Sequence, residues 1–189
     1  VSDAVIIAAG AGRRLGGVAK ALLRTGSTTY LGRIVENARA AGAEKIVVVV
    51  GAPHAAAVRE EALRLGIAAA DIIENPEPER GMASSIELGF RAMRGSRAAY
   101  LWPVDHPFVT LRTLALVERA LGPYEVARPT YGGRGGHPPL VASAVFDRLA
   151  TCSTAPEGAR TVIASADVID VLVDDPGVVH DIDTPEDLA

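Results

Sequence analysis

The stretch Val5-Ile6-Ile7-Ala8-Ala9-Gly10-Ala11-Gly12-Arg13-Arg14-Leu15-Gly16-Gly17-Val18-Ala19-Lys20 decides the fold. Its first part is an unbroken apolar run bounded by glycine, the pattern of a strand buried on both faces of a parallel sheet; a half-exposed strand would alternate. Its second part is a basic, glycine-rich loop. Glycines at 10, 12, 16 and 17 leave out Cβ atoms, so backbone N–H groups can converge on an anion, while Arg13, Arg14 and Lys20 bring positive charge. Spacing excludes two common phosphate loops. A dinucleotide fingerprint requires glycine where Leu15 stands, and a Walker A loop requires Lys-Ser or Lys-Thr where Val18 and Ala19 stand.

Outward from this stretch the chain alternates strands and helices. Leu31, Ile34, Val35 and Ala38 recur at helical spacing through Tyr30 to Ala41, and Ile46 to Val50 is a second buried strand. A helix carrying Val58, Ala62 and Leu65 follows Pro53, and Asp71 to Glu74 is a short strand closed by the proline-rich run from Asn75 to Gly81. Met82 to Met93 reads as a helix, and Ala98 to Val104 as a strand ending in Asp105-His106-Pro107. Leu111 to Leu121 is a helix capped by Thr110. Val126 to Tyr131 and Pro139 to Val141 are expected strands on either side of a flexible, glycine-rich loop, Gly132 to His137. Ser143 to Leu149 and Ala159 to Ser165 are expected short helices, Val168 to Val173 a last strand, and Thr184-Pro185 a helix start. The alternation predicts one α/β domain over residues 1–189.

Composition narrows the class. With 49% apolar residues the chain can build a sizeable core. A net charge of −4 with both signs dispersed gives no basic face for nucleic acid, and no apolar run is long enough for a membrane span. The one cysteine, Cys152, cannot form an internal disulfide, and no leader precedes the first strand, so the cytoplasm is the expected compartment. The sequence carries no signal for an oligomeric state.

The chemistry-bearing candidates are few. Asp105 stands at the carboxyl end of a central strand, the edge where open α/β sheets bind ligands. Asp105 and Asp183 are hard oxygen donors of the kind Mg²⁺ takes, although each also fits a plain turn or capping role. Lys20, Arg14 and, more weakly, Arg13 suit phosphate contact; a solvated surface position is the ordinary alternative for a lysine. Ser84 and Ser85 open a helix, whose N-terminus can also receive an anion. His106 and His137 lack zinc-ligand spacing. No Gly-x-Ser-x-Gly elbow occurs and Cys152 has no activating neighbours in sequence, so covalent catalysis is disfavoured.

Taken together, Ala8-Ala9-Gly10-Ala11-Gly12-Arg13-Arg14-Leu15-Gly16 with Lys20 resembles the signature loop of the nucleotidyltransferases, and within them the MobA-like branch of molybdenum-cofactor enzymes. Four further segments carry the resemblance across the chain: Asn75 through Gly81 to Ser85, Val104 to Pro107, Gly135 to Pro138, and Asp181 to Leu188. The resemblance implies a single three-layer Rossmann-like domain with a mostly parallel central sheet. It also implies Mg²⁺-dependent transfer of a nucleoside monophosphate from a nucleoside triphosphate to a small phosphorylated acceptor, with molybdopterin the expected acceptor. Ala8, Ala9, Gly10, Ala11, Gly12, Arg13, Arg14 and Lys20 would hold the triphosphate, and Lys20, Arg14 and Asp105 would serve catalysis. Asn75, Gly81, Ser84 and Ser85 would line the nucleotide side, Asp105 and Asp183 would bind the metal, and His106, Gly136, His137 and Pro138 would face the acceptor. The Ile-Ala-Ala-Gly start is closer to the cytidylyl than to the guanylyl branch. Other readings are a sugar-phosphate acceptor or a nucleotide-binding module without turnover. Ala83 and His106 depart from the residues usual at those positions, both near the expected acceptor.

Overall fold

Strand β1 (Asp3–Ala8) forms where the opening apolar run predicts it, and Ala4 to Ala8 are all buried. The structure is a computed structural model and describes residues 2–13 and 16–181. After β1 come a small hairpin, β2 (Arg24–Thr25) and β3 (Thr28–Thr29), and helix α1 (Tyr30–Ala40). Strand β4 (Ile46–Gly51), helix α2 (Ala55–Arg64), strand β5 (Ile72–Asn75) and helix α3 (Met82–Arg91) continue the alternation. The second half comprises β6 (Ala98–Pro103), α4 (Leu111–Leu121), β7 (Val126–Tyr131), β8 (Arg134–Gly135), β9 (Leu140–Ala142), α5 (Phe146–Leu149), α6 (Ala159–Ala164) and β10 (Val168–Leu172).

The main sheet runs β10-β7-β9-β6-β1-β4-β5, with β8 folded back on β7. Strand β1 pairs in parallel with β4 and β6, β4 with β5, and β7 with β10; β9 runs antiparallel between β6 and β7. Side chains that alternate along each buried strand build two cores, one on either face. Ile6, Val48, Tyr100 and Trp102 pack beneath α1, α2 and α4, which contribute Leu31, Ile34, Val58 and Leu114. Val5, Val47, Val49 and Leu101 pack beneath α3, α5 and α6, which contribute Phe90, Phe146, Leu149 and Val162. Each fully buried side chain of this size stabilises the fold by about 1.5–3 kcal/mol. The helices thus form two outer layers on a mostly parallel sheet.

Topology positions the site. From β1 the chain steps outward through β4 to β5, then α3 carries it back to β6 on the other side of β1. The connections leaving β1 and β6 therefore diverge, and a crevice opens at the carboxyl ends of these two strands.

Three local features differ from the sequence expectation. The β2–β3 hairpin has only two residues per strand, too few for periodicity to register. The segment expected as a flexible loop is instead a second hairpin, in which Gly132 and Gly133 take φ of 56° and 75° so that β8 can return along β7. The expected helix from Ser143 opens as a 3-10 turn, Ser143–Val145, before α5 begins. The expected helix start at Thr184-Pro185 lies outside the described residues. Among the described residues no helix is long and apolar enough to cross a membrane.

Candidate active site

The crevice holds a cavity of about 880 Å³ lined by both halves of the sheet. Ala8 to Arg13 form one side. Gly12 takes φ of 61°, its carbonyl accepts the Gly17 N–H at 2.9 Å, and a Cβ there would run into the Val18 carbonyl. Only glycine satisfies both constraints. Lys20 begins a short 3-10 turn, Lys20–Leu22, and its ammonium reaches into the cavity, 3.5 Å from Asp105 Oδ2.

Asp105 is presented by the end of β6. The Val104 N–H donates to the Ile7 carbonyl at 3.1 Å, extending the β1–β6 pairing to the residue before it. The chain then turns, with the His106 N–H on the Pro103 carbonyl at 3.2 Å and Trp102 Nε1–H on the His106 carbonyl at 2.9 Å. This turn brings Asp105 and His106 together, with His106 Nε2 3.8 Å from Asp105 Oδ1. Asp105 Oδ1 is buried and has no hydrogen-bond partner, an unusual state for a carboxylate oxygen. It offers a hard donor where an Mg²⁺ ion would take one or two carboxylates and fill its remaining positions with phosphate and water. Asp183 and Arg14 lie outside the described residues. Among the described residues no group of three or more His, Cys, Asp or Glu is arranged to hold a metal.

The opposite wall is the N-terminus of α3. Gly81, Met82 and Ser85 line the cavity, whereas Asn75 and Ser84 stand behind it. Asn75 is buried; its Nδ2 donates to Ser84 Oγ and Ser85 Oγ at 2.9 Å, and its Oδ1 accepts the Glu77 N–H at 2.9 Å. Ser84 Oγ donates to the Gly81 carbonyl at 2.8 Å. These two residues brace the wall. Ala83 also points away from the cavity: a Cβ on Gly158 would lie 3.0 Å from it, and Cys152 Sγ donates to its carbonyl at 3.6 Å. The departure at Ala83 is therefore a packing matter between α3 and the segment leading into α6. The Cys152 thiol is pushed up to about 11 by burial and by the charge of Glu87, which fits a structural cysteine.

His106 and His137, far apart in sequence, meet with ring centroids 4.7 Å apart and planes at 33°. Both line the cavity; Gly136 and Pro138 do not. Gly136 anchors the segment instead, with its N–H on the Pro129 carbonyl at 2.8 Å, and the His137 N–H donates to the Val178 carbonyl at 2.7 Å. Burial holds the His106 ring below the usual imidazole range, against the opposing charge of Asp105, a backbone hydrogen bond with Gly177 and the charge of Asp181. Burial also lowers His137 to about 3, reinforced by the nearby charges of His106 and Arg160. At neutral pH both rings are uncharged, so the rings themselves offer hydrogen bonds without positive charge. Two residues here escape sequence reasoning. Asp181, two residues before the expected Asp183 in sequence, lines the cavity with the histidines, and Arg160 reaches their neighbourhood from α6. The Asp-Ile-Asp run signalled the first; nothing in the sequence signalled the second.

Comparison with known proteins agrees with this architecture. The profile of one family, described as the MobA-like NTP transferase domain, matches residues 4–170. The chain is 28% identical to the nicotine blue oxidoreductase of Paenarthrobacter nicotinovorans, over 97% of this chain and 93% of that protein. Among solved structures it is similar to Rv0371c from Mycobacterium tuberculosis H37Rv, with a TM-score of 0.83 and 28% identity over 99% of this chain and 95% of that one. A second structure of Rv0371c, in complex with manganese, matches with a TM-score of 0.76 and 26% identity, over 98% of this chain and 95% of that one.

Proposed function

The chain belongs to the MobA-like NTP transferase family, and we propose that it transfers a nucleoside monophosphate from a nucleoside triphosphate to a small phosphorylated acceptor, releasing pyrophosphate. One observation carries this reading: the glycine-rich loop, Lys20 and Asp105 converge on the cavity at the β1–β6 crevice, with Lys20 Nζ 3.5 Å from the carboxylate. At about 880 Å³ the cavity is near the upper end of the range of small-molecule sites, about 300–1,000 Å³, and so suits two substrates side by side.

An acceptor phosphate oxygen forms the new bond to the α-phosphorus, and the bond from that phosphorus to the pyrophosphate oxygen breaks. The attacking oxygen is already ionised near neutral pH, so no protein base is needed and the chain's work is placement and charge compensation. Backbone N–H groups of Gly10 to Gly12, with Arg13 and Lys20, would receive the triphosphate; Arg14 is proposed to join them. Asp105, with Asp183, would hold Mg²⁺, which when bound polarises the phosphate oxygens. Gly81 and Ser85 would meet the nucleotide, with Asn75 and Ser84 fixing their positions. His106 and His137 would receive an uncharged, hydrogen-bonding part of the acceptor, with Gly136 and Pro138 holding His137 in place. CTP and molybdopterin are the specific pair we propose, supported by the Ile7-Ala8-Ala9-Gly10 start and the neutral acceptor end. The buried lone thiol suits the cytoplasm as the compartment.

The likeness to a protein named a nicotine blue oxidoreductase favours one competing reading, an oxidation or reduction of a substrate of that kind. Pyrophosphate release from a panel of triphosphates and phosphorylated acceptors, run beside a redox assay that follows the colour of nicotine blue, separates the two. Release with CTP and molybdopterin is the expected result, and Asp105→Asn should reduce it at least about 100-fold with the fold intact. Native-rate turnover by that variant would remove Asp105 from the reaction.

A further inference from the structure

The metal side of the site holds a second donor that neither the family likeness nor the carboxylates explain. Asp105 presents its two oxygens differently. Oδ2 faces the Lys20 ammonium at 3.5 Å, while Oδ1 is buried, without a hydrogen bond, and lies 3.8 Å from His106 Nε2. The His106 side chain is itself more than nine-tenths buried. Its backbone is pinned on both sides, by its own N–H to Pro103 and by Trp102 to its carbonyl, and one ring face rests against His137. With the ring face used by His137, the ring edge stays turned toward Asp105.

We propose that Asp105 Oδ1 and His106 Nε2 are adjacent ligands of one divalent ion, so that the site is a mixed oxygen–nitrogen centre preferring first-row transition ions to Mg²⁺. Bonds to such ions are about 2.1 Å long, so two adjacent donors on one ion lie about 3.0–3.4 Å apart. The observed 3.8 Å is longer than that by less than 1 Å, a gap that a small rotation of either side chain closes around the ion. Lys20 need not leave Oδ2 for this to happen. Mg²⁺ takes oxygen ligands almost exclusively, whereas imidazole suits the transition ions, whose affinity rises from Mn²⁺ to Co²⁺. The inference rests on the transferase reading for the role of Asp105, and it revises that reading at two points: a transition ion takes the place of Mg²⁺, and His106 serves the metal, which leaves His137 to the acceptor.

Mn²⁺ is the probe, added alone and together with a non-hydrolysable nucleoside triphosphate. In pulsed EPR of the full chain labelled with ¹⁵N-histidine, bound Mn²⁺ should show nitrogen coupling. That coupling should vanish in His106→Gln and persist in His137→Gln. By titration, His106→Gln should weaken Mn²⁺ about tenfold or more, as removal of an inner partner does, while Mg²⁺ changes by less than about twofold because it makes little use of nitrogen. Absence of nitrogen coupling in Mn²⁺-loaded protein, equal weakening of both metals, or no Mn²⁺ binding under either condition overturns the proposal. If His106→Gln does not fold, the coupling in the unsubstituted chain still decides. Coupling without pyrophosphate release would fail the transferase reading and keep this inference; release without coupling would do the reverse.

Discussion

Lys20 is held by the first turn after the glycine loop, and its ammonium is placed where negative charge would grow on the α-phosphate and the departing pyrophosphate. Its contact with Asp105 at 3.5 Å contributes little to folding, because both side chains keep some solvent access, at 16% and 20%. Lys20→Ala should therefore leave the thermal midpoint unchanged while raising KM for the triphosphate and lowering kcat, with a combined loss of about 10²–10³ in kcat/KM. Steady-state kinetics against unfolding curves test this, and unchanged kinetics would return Lys20 to an ordinary surface lysine. Residues of this kind were legible because composition marks them: a lysine ending a basic glycine loop, an aspartate ending a buried strand. His106 and His137 were legible singly but not as a pair, since only the β7–β8 hairpin brings their rings to 4.7 Å. Arg160 left no trace in the sequence, because its part depends on where α6 docks.

At the scale of elements, two buried side chains outside the cavity hold its walls. Asn75 joins the end of β5 to the start of α3 through Ser84, Ser85 and the Glu77 N–H. Asn75→Ala strands those groups in a dry setting and should cost about 1–3 kcal/mol, with a raised KM for the triphosphate as Gly81 and Ser85 shift. Urea unfolding and kinetics read the two effects separately. Asp175 does the same for the acceptor wall. It accepts from the Thr110 N–H and Oγ1, from Thr113 Oγ1 and from the Gly177 N–H, so it ties the start of α4 to the 3-10 turn Pro176–Val178, whose last carbonyl receives the His137 N–H. Asp175→Ala should destabilise the fold by about 3 kcal/mol, as loss of hydrogen bonds to a buried charge does, and raise KM for the acceptor more than KM for the triphosphate. Equal changes in both would mean that the turn serves folding alone. The elements these residues join were readable from the sequence, because buried strands give unbroken apolar runs and the helices keep their 3.6-residue stripe. The bracing was not, since an asparagine or aspartate near proline and glycine reads first as a turn residue.

Across the whole molecule, the uncharged acceptor end has a consequence for stability. His137 titrates near 3 in the folded chain, against 6.5 when exposed, so between those values the unfolded chain binds a proton that the folded chain refuses. Stability therefore holds above pH 6.5 and falls as the pH drops below it. His106, also lowered, acts in the same direction. The carboxylates add to the loss only in more acid solution. Glu61 is lowered by its bond to Arg64, and Glu87 by bonds from Ser153 that outweigh the opposing effect of burial, so the stability both contribute is present above their ordinary value of 4.5 and disappears as the pH falls through their folded values. The window from 6.5 to 4.5 thus belongs to the histidines. A single imidazole kept fully neutral in the folded state gives a slope of up to about 1.4 kcal/mol per pH unit. His137→Gln should remove one such contribution, making urea-unfolding stability visibly flatter between pH 6.5 and 4.5 and leaving the steep fall below 4.5 in place. An unaltered slope in that window would show that the His137 ring gains a proton without resistance, and that the acceptor end of the cavity is wetter than its packing against His106 and Val178 implies.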